Sequence, residues 1–372
     1  MKKIPLVKPQ FDYQKLARDF KKISQSGILT RGPYLAEFER QLKNYLKVKY
    51  VFAVSSCTAA LHLALVALGI KEGDEVLVSD FTFPATGNVV VQVGAKPVLI
   101  DITLDTFDLD PEKIEAAITP KTKAVMVVHV FGYPAEMAEI MKIAKKHRLF
   151  VIEDAACALG SSYKNKFCGT WGDVGCFSFH PRKNITTGEG GAIVTDNLKI
   201  AQKIEILRNH GGIKKANQWE FVEAGFNYRL SELQAALGVE QMSRLDKTTR
   251  QRQKMARKYL RAFKDIHGIA LPDEPKGGCT NFQSLVILLP KEINRDQIIE
   301  KLRRKNIEAV LGTYALHSQP AFRKYGYKPG DLPNSYYAYQ HSLALPLYSQ
   351  MTGKEIEYVV KNLVQALACK NV

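Results

Sequence analysis

The sequence predicts an α/β protein with a mostly parallel sheet covered by helices, followed by a smaller α+β domain. Short apolar segments alternate with segments of helical period through the first 210 residues. Several of the apolar segments are continuous, as strands buried on both faces require. At 372 residues the chain is long for one hydrophobic core. We therefore expect two domains, at 1–245 and 246–372, without internal repeats.

Residue patterns mark where the predicted helices begin. Gly32 and Pro33 precede apolar residues that share one helix face, and Asp110 and Pro111 have the pattern of a cap and first turn. Thr352 lies three residues before a glutamate, which is the spacing of a capping box ahead of the last helix. The predicted helices span 58–68, 84–93, 134–147, 198–210, 231–263 and 295–305, besides an amphipathic stretch at 12–23.

The predicted strands are the short apolar runs between these helices. They span 75–79, 97–100, 124–130, 149–152, 192–195 and 282–289. Ligands of mostly parallel sheets bind beyond the carboxyl ends of the strands. Glu153 and Asp154 follow the run 149–152, so we expect them at such an end. The segment 231–263 is expected to connect the two domains.

The composition is that of an ordinary soluble enzyme. Apolar residues make up 46% and charged residues 24%, no apolar run is long enough to cross a bilayer, and the first ten residues have no hydrophobic signal. We expect a cytoplasmic protein with no membrane partner. The six cysteines form no C-x-x-C pair and have no histidine at zinc spacing, so we expect free, mostly buried thiols and no metal site.

The net charge of +16 has two interpretations. It is either a lysine-rich solvated surface or a surface that attracts a polyanionic partner. A nucleotide diphosphate and a nucleic acid both fit the second interpretation. Charge alone does not choose between them.

The segment 177–191 reads FSFHPRKNITTGEGG and contains a lysine before a glycine-rich turn. A lysine that forms a Schiff base must be partly desolvated, so that its amine can be neutral near pH 7. Glycines let the backbone pass close to a cofactor. Lys183 is therefore the candidate residue for this chemistry. The alternative is a surface lysine before an ordinary turn.

Three further segments contain polar residues where a cofactor could bind. Asp154 is suited to pair with a pyridine nitrogen, or alternatively to cap the next element. Residues 55–58 (SSCT) lead straight into an apolar helix, so they form either an anion site or a plain cap. Residues 225–229 (GFNYR) are a polar insertion before a long helix. This insertion either caps that helix or reaches into the site of a neighbouring subunit.

Six motifs in order carry a resemblance to a known family. They are SSCTAALHLAL (55–65), TFPATGN (82–88), VIEDAACALG (151–160), CFSFHPRKNITTGEGGAIVT (176–195), LRNHG (207–211) and GFNYRLSELQAA (225–236). The chain resembles the DegT/DnrJ/EryC1/StrS family of sugar aminotransferases from about Pro5 to the last helix. The resemblance implies the PLP-dependent transferase fold type I of aspartate aminotransferase, pyridoxal 5'-phosphate (PLP) as cofactor, and a homodimer with shared active sites.

The resemblance also implies roles for matching residues. Lys183 would hold PLP as a Schiff base and move protons between carbon and nitrogen, Asp154 would bind the pyridinium nitrogen, and Phe83 would lie over the ring. The expected phosphate contacts are Ser178, Cys57 and Thr58, with Asn227 from the neighbouring subunit. The expected substrate contacts are His317 in the C-terminal segment 312–320, His180 and His210 from cofactor-region motifs, and Arg229 as an anion contact.

Two cofactor positions depart from the family pattern. Cys57 replaces a glycine that is frequent in the phosphate loop. Cys157 stands where the family usually has His or Gln close to the phenolic oxygen of the cofactor. Some relatives have His at the lysine position and dehydrate sugars instead, and Lys183 argues against that activity.

The reaction implied by the resemblance is a ping-pong transfer. An amino acid, expected to be glutamate, gives its amino group to the cofactor, which passes it to a keto sugar on a nucleotide diphosphate. We expect a 4-keto-6-deoxy sugar, with the 3-keto isomer as the alternative. The nucleotide stays open.

Parts of the sequence also fit two rival functions. The first is a DNA-binding regulator, because 235–244 resembles a helix-turn-helix with Gly238 at the turn and basic residues follow at 250, 252 and 254. The stretch lies inside the family resemblance and also fits one long helix, so we expect no nucleic-acid partner. The second is a PLP-binding sensor, against which Lys183 and Asp154 favour catalysis.

Overall fold

The structure is a computed structural model that describes residues 2–216, 218–264 and 266–368. The helices are α1 (Tyr13–Ser26), α2 (Pro33–Leu46), α3 (Cys57–Ala67), α4 (Ala85–Gln92), α5 (Pro111–Ala116), α6 (Met137–His147), α7 (Leu198–Leu207), α8 (Glu232–Met242), α9 (Leu245–Phe263), α10 (Arg295–Arg304), α11 (Pro333–His341) and α12 (Gly353–Ala368). The strands are β1 (Tyr50–Val54), β2 (Glu75–Ser79), β3 (Phe81–Thr82), β4 (Lys96–Ile100), β5 (Thr122–Val128), β6 (Phe150–Asp154), β7 (Ser162–Tyr163), β8 (Lys166–Phe167), β9 (Val174–Ser178), β10 (Gly191–Thr195), β11 (Gly212–Lys215), β12 (Gln218–Phe221), β13 (Gly278–Cys279), β14 (Leu285–Leu288), β15 (Val310–Leu311), β16 (Tyr314–Ala315) and β17 (Ser342–Leu345).

A seven-stranded sheet forms the centre of the protein, in the order β1-β10-β9-β6-β5-β2-β4. β10 is antiparallel to both of its neighbours, and the other pairs are parallel. All strands except β10 therefore run in one direction, and their carboxyl ends lie at one edge. Helices cover both faces, with α3, α4 and α7 on one and α2, α6 and α8 on the other. This confirms the predicted α/β class.

A second, smaller sheet follows in the order β14-β17-β15 and is antiparallel. Its hydrophobic core includes residues of α9, α10 and α12, but also Ile4, Phe81 and Phe107 from the first half of the chain. The strand β16 pairs with β3, which joins the two halves again. The division at residue 245 stays a prediction, because this core crosses it.

Local signals fixed several element ends correctly. Asp110 accepts a hydrogen bond from the amide of Glu112 as an N-cap, and Thr352 and Glu355 form the reciprocal capping bonds. No helix among the described residues is long and apolar enough to span a bilayer. Five cysteines are described and all are free thiols, of which three are buried; Cys369 lies outside the described residues.

Long-range contacts moved other boundaries. The helix expected at 134–147 begins at Met137, because the amide of Ala135 donates to His129 instead of starting a helix. The helix expected to reach residue 210 ends at Leu207, because His210 has a left-handed backbone and its amide donates to Phe226.

The segment 231–263 consists of two helices, α8 and α9, that are separated at Ser243 and Arg244. The segment is mostly helical as predicted, but the single long helix that its apolar residues also fit is wrong. The rival helix-turn-helix interpretation would need a turn at Gly238, but this residue lies inside α8. A Cβ at this position would be 2.6 Å from the ring of Phe38, so the glycine permits close packing of α8 on α2.

Candidate active site

Four candidate residues lie at the carboxyl edge of the large sheet. Asp154 is the last residue of β6, Ser178 is the last residue of β9, and Cys57 begins α3 shortly after β1. Lys183 lies in the connection from β9 to β10. The sequence predicts Glu153 and Asp154 at the carboxyl end of a strand, and the observed topology places them there at the end of β6.

Gly191 brings the start of α3 against the end of β9. It pairs with Ser178 on one side and with Val54 on the other. A Cβ on Gly191 would lie 2.6 Å from the backbone nitrogen of Cys57, so only glycine fits here. Ser56 caps α3 by accepting a hydrogen bond from the amide of Ala59 at 3.0 Å. The N-terminus of α3 therefore lies beside Ser178, and a helix N-terminus next to a serine is suited to bind a phosphate.

Asp154 is a buried carboxyl with neutral hydrogen-bond donors. Its side chain is 5% exposed; Oδ2 accepts from the Thr86 hydroxyl at 2.8 Å and Oδ1 from the Ala156 amide at 3.1 Å. Burial raises the pKa of Asp154, against the opposing effect of the Thr86 hydrogen bond and of Lys183. A buried carboxylate is costly without a cationic partner, and a protonated ring nitrogen would be such a partner.

The amine of Lys183 is enclosed by sulfur atoms and by Asp154. Its Nζ donates a hydrogen bond to the Sγ of Cys157 at 3.1 Å. Burial acts to lower the pKa of Lys183, but the Cys157 sulfur and Asp154 outweigh burial and raise it. The lysine is desolvated, as the sequence argument requires. The net direction of its pKa is nevertheless opposite to that argument, which considered desolvation alone.

The remaining cofactor candidates differ in exposure. Cys57 is buried, which raises the pKa of its thiol well above the ordinary value, and Thr58 beside it is exposed. Ser178 is half-buried. Asn227 is exposed and its backbone forms a bridge with Asn209.

Phe83 projects into solvent beside the sheet edge. It is 66% exposed, and its ring centroid lies 6.3 Å from that of Tyr314 in an edge-on arrangement. The pairing of β3 with β16 produces this contact. An exposed aromatic ring at this edge is available to cover a flat heterocycle.

His317 occupies a place that the sequence did not predict. It is 2% exposed, its Nδ1 lies 2.6 Å from Oδ2 of Asp80, and its amide donates to Oδ1 of Asp80 at 2.8 Å. Asp80 follows β2 at the same sheet edge. The histidine thus attaches the C-terminal segment to the large sheet, and its contact with a sugar stays a prediction.

The other substrate candidates are dispersed. His180 is half-buried, which lowers its pKa, and its Nδ1 accepts from the Arg182 amide at 3.2 Å. His210 is exposed. Arg229 is half-buried in a bridge with Val54, and burial together with Arg31 lowers its pKa.

Glu153 and His129 form a buried pair that sequence reasoning missed. Glu153 accepts backbone hydrogen bonds from Gly169, Trp171 and Gly172 at 2.6–2.7 Å, and its Oε2 lies 2.9 Å from Nε2 of His129. Nδ1 of His129 accepts from the Ala135 amide, so the proton is on Nε2. Glu153 and Asp154 point to opposite faces of β6 because strand residues alternate. That alternation was the signal that would have separated their roles.

Comparison with known proteins places this geometry in a family. Residues 12–364 match the model of the DegT/DnrJ/EryC1/StrS aminotransferase family. The chain is 38% identical over 351 residues to the spore coat polysaccharide biosynthesis protein SpsC of Bacillus subtilis, covering 91% of this chain and 90% of SpsC. It is 37% identical over 343 residues to GDP-perosamine synthase of Caulobacter vibrioides, covering 91% and 92%.

A solved structure agrees with both. Spr1654 from Streptococcus pneumoniae in its PLP form superimposes with a TM-score of 0.92 at 26% identity, covering 98% of each chain. The match covers the sheet edge described above and the smaller sheet. The chain therefore belongs to the DegT/DnrJ/EryC1/StrS aminotransferase family and is a PLP-dependent sugar aminotransferase.

Proposed function

We propose that this chain transfers an amino group from glutamate to a keto sugar carried on a nucleotide diphosphate, with a 4-keto-6-deoxy sugar as the substrate and the 3-keto isomer as the alternative. The observation that carries the proposal is the convergence of Lys183, Asp154 and the α3 N-terminus at one sheet edge. The similarity to GDP-perosamine synthase supports a nucleotide sugar. The charge of +16 suits an anionic diphosphate.

The residues at this edge fit PLP. We propose that Lys183 bonds to the cofactor aldehyde, that Asp154 binds the ring nitrogen and that Phe83 covers the ring. The phosphate contacts are Ser178, Cys57 and Thr58, and Cys157 lies beside the lysine. The buried carboxyl of Asp154, whose hydrogen-bond donors are neutral, supports the fit because a protonated ring nitrogen would pair with its charge.

Each residue has a task in this proposal. PLP supplies an electron sink for the negative charge left when a proton leaves carbon. Asp154 keeps the ring nitrogen protonated, and Lys183 moves the proton between carbon and nitrogen. His317, His180, His210 and Arg229 stay candidates for the sugar or its phosphates, and the buried pairing of His317 with Asp80 favours the other three.

We propose a homodimer in which Asn227 reaches the phosphate of the neighbouring subunit. Asn227 is exposed, and the nearby hairpin of β11 and β12 exposes Trp219 and Phe221. Exposed large apolar side chains that lie together favour a protein interface. We also propose that the enzyme works in the cytoplasm, where free thiols persist.

An absorbance spectrum of the purified protein tests this function. With PLP we expect a band near the visible edge that decreases when glutamate is added and returns with a keto acid. Lys183→Ala should lose this behaviour, because no amine is left to bond the aldehyde. A panel of 3-keto and 4-keto sugar nucleotides then identifies the acceptor by mass spectrometry. A parent protein that shows no band with PLP would contradict the proposal.

A further inference from the structure

The amine of Lys183 and the sulfur of Cys157 are in direct contact. Cys157 follows Asp154 by three residues, in the turn after β6. Its Sγ accepts a hydrogen bond from Nζ of Lys183 at 3.1 Å. The side chain of a cysteine is short, so this contact requires the main chains of Cys157 and Lys183 to be held at a fixed separation.

One segment of the C-terminal half holds both backbones. Asn281 donates from Nδ2 to the carbonyl of Cys157 at 2.9 Å, and Gln283 donates from Nε2 to the carbonyl of Arg182 at 2.7 Å. Arg182 precedes Lys183, so a hydrogen bond from this segment holds the main chain at or next to each of the two residues in contact. We call residues 280–283 the clamp.

The clamp is itself rigidly attached. Gln283 donates its amide to Oδ1 of Asn281 at 2.8 Å, and Thr280 donates to the carbonyl of Gly132 at 2.8 Å. The guanidinium of Arg252 in α9 donates to the carbonyls of Phe282 and Gln283. All of these groups are buried, and buried hydrogen bonds that satisfy one another are costly to break. The fold therefore holds the contact between Lys183 and Cys157 in place.

Few ionisable groups face the amine. Asp154 comes from β6, Cys157 from the turn after it and Cys57 from α3. Burial acts to lower the pKa of Lys183, but these three groups together raise it. His180, three residues before Lys183, also interacts electrostatically with it. Cys176 of β9 and His129 act on the pKa values of Cys57 and Asp154 respectively. The sulfur of Cys157 is the one in hydrogen-bond contact.

We propose that Cys157 is a positioning residue for Lys183, whose sulfur holds the lysine amine and its proton at the carboxyl edge while the clamp fixes both backbones. The inference rests on the proposed function, in which Lys183 bonds to the cofactor. It gives Cys157 the task of orienting the amine when the lysine is not bonded to PLP. A side chain that accepts a hydrogen bond is needed for this task, and a methyl group cannot supply one.

Two pH profiles of the apoenzyme test the proposal. The first is acetylation of Lys183 by trace acetic anhydride, read by peptide mass spectrometry, which needs the neutral amine but no cofactor. The second is the rate of PLP capture, read by absorbance; this step joins amine and aldehyde with loss of one water and also needs the neutral amine. Because Cys157 raises the pKa of Lys183, both midpoints should move to lower pH in Cys157→Ala. A shift of about one pH unit would raise the neutral fraction at pH 7 about tenfold.

The matched variants separate the effect of Cys157 on the orientation of the amine from its effect on the pKa of Lys183. Cys157→Ala should also lower the capture rate at high pH, where the amine is neutral in every variant, because its orientation is lost. Cys157→Ser keeps an acceptor oxygen and should restore most of this high-pH rate. Cys279→Ala, at an exposed thiol, should match the parent in both profiles.

The outcomes are distinguishable. Unchanged acetylation and capture profiles in Cys157→Ala, with native circular dichroism, would overturn the positioning role even if the parent captures PLP. A shifted acetylation profile in a protein that never captures PLP would support the contact and overturn the proposed function instead.

Discussion

Asp154 has a buried carboxyl that two neutral groups, the Thr86 hydroxyl and the Ala156 amide, hold in place. Burial raises its pKa. In the protein without cofactor, ionisation of this group therefore costs folding free energy as the pH rises through that raised pKa. The same charge becomes favourable when a cation pairs with it. The residue is thus costly to the empty protein and useful to the loaded one.

Asp154→Asn should show both effects, the cost of the buried charge without PLP and its benefit with PLP bound. Without PLP at pH 7 we expect the variant to be more stable than the parent by about 1 kcal/mol, since it has no buried charge, and the difference should vanish towards pH 4. With PLP the order should reverse, because an amide cannot neutralise a protonated ring nitrogen. Thermal unfolding with and without PLP measures both. Asp105→Asn, at an exposed position, is the control, and an apo variant less stable than the parent at pH 7 would contradict the argument.

At the scale of the elements, the approach of β10 to the start of α3 determines the geometry of the phosphate site. Gly191 leaves room for the backbone of Ser56 and Cys57, which lie 2.5–2.6 Å from the position of a Cβ. Any side chain would push α3 away from Ser178. The distance between a strand end and a helix N-terminus therefore depends on one missing methyl group.

Gly191→Ala should weaken PLP binding by about tenfold or more, because the amides of the helix N-terminus lose their alignment with the phosphate. Titration of the apoenzyme with PLP, followed by absorbance, measures the change. Gly330→Ala, whose Cβ would meet nothing within 4 Å, serves as the control. Equal affinities for both variants and the parent would show that the phosphate does not lie at this helix.

Local sequence signals predicted the elements that local forces define. The caps at Asp110 and Thr352 depend on neighbouring residues alone, and they agree with the structure. The apolar run 75–79 also predicts its strand correctly, although pairing with β4 and β5 completes it. The strands β1 and β9 were not predicted as strands, although β9 lies inside a motif quoted for its chemistry. β1 pairs with β10, and β9 pairs with both β10 and β6, so pairing with other strands of the sheet completes both.

The site, like the fold, was predictable only where it depends on local signals and on strand direction. Strand direction is enough to bring Asp154 to the binding edge. The clamp residue Asn281 is more than 120 positions from Cys157 in the sequence, and Asp80 and His317 are further apart still. Contacts across such distances depend on how the two halves pack, and no single-sequence pattern contains that information.

At the scale of the whole molecule, the proposed sharing of active sites predicts complementation. Lys183→Ala and Asn227→Ala should each be inactive or strongly impaired as homodimers. After unfolding and refolding together, half of the dimers should be mixed, and each mixed dimer has one site with an intact Lys183 and an intact neighbouring Asn227. Activity should return to roughly a quarter of the parent value. No recovery, with mixed dimers confirmed by native mass spectrometry, would show that each subunit completes its own site.

The reversed direction of β10 also has a consequence for synthesis of the chain. β10 lies between β1 and β9, so the sheet has a gap until residue 195 has left the ribosome. The carbonyl of Arg182, just before Lys183, accepts a hydrogen bond from Gln283, which is made about a hundred residues later. At typical elongation rates of about 5–20 residues per second, the nascent protein has a complete lysine motif for at least several seconds before Gln283 of the clamp is made. A growing chain can therefore contain every cofactor residue of its own subunit before it is able to hold the lysine in place.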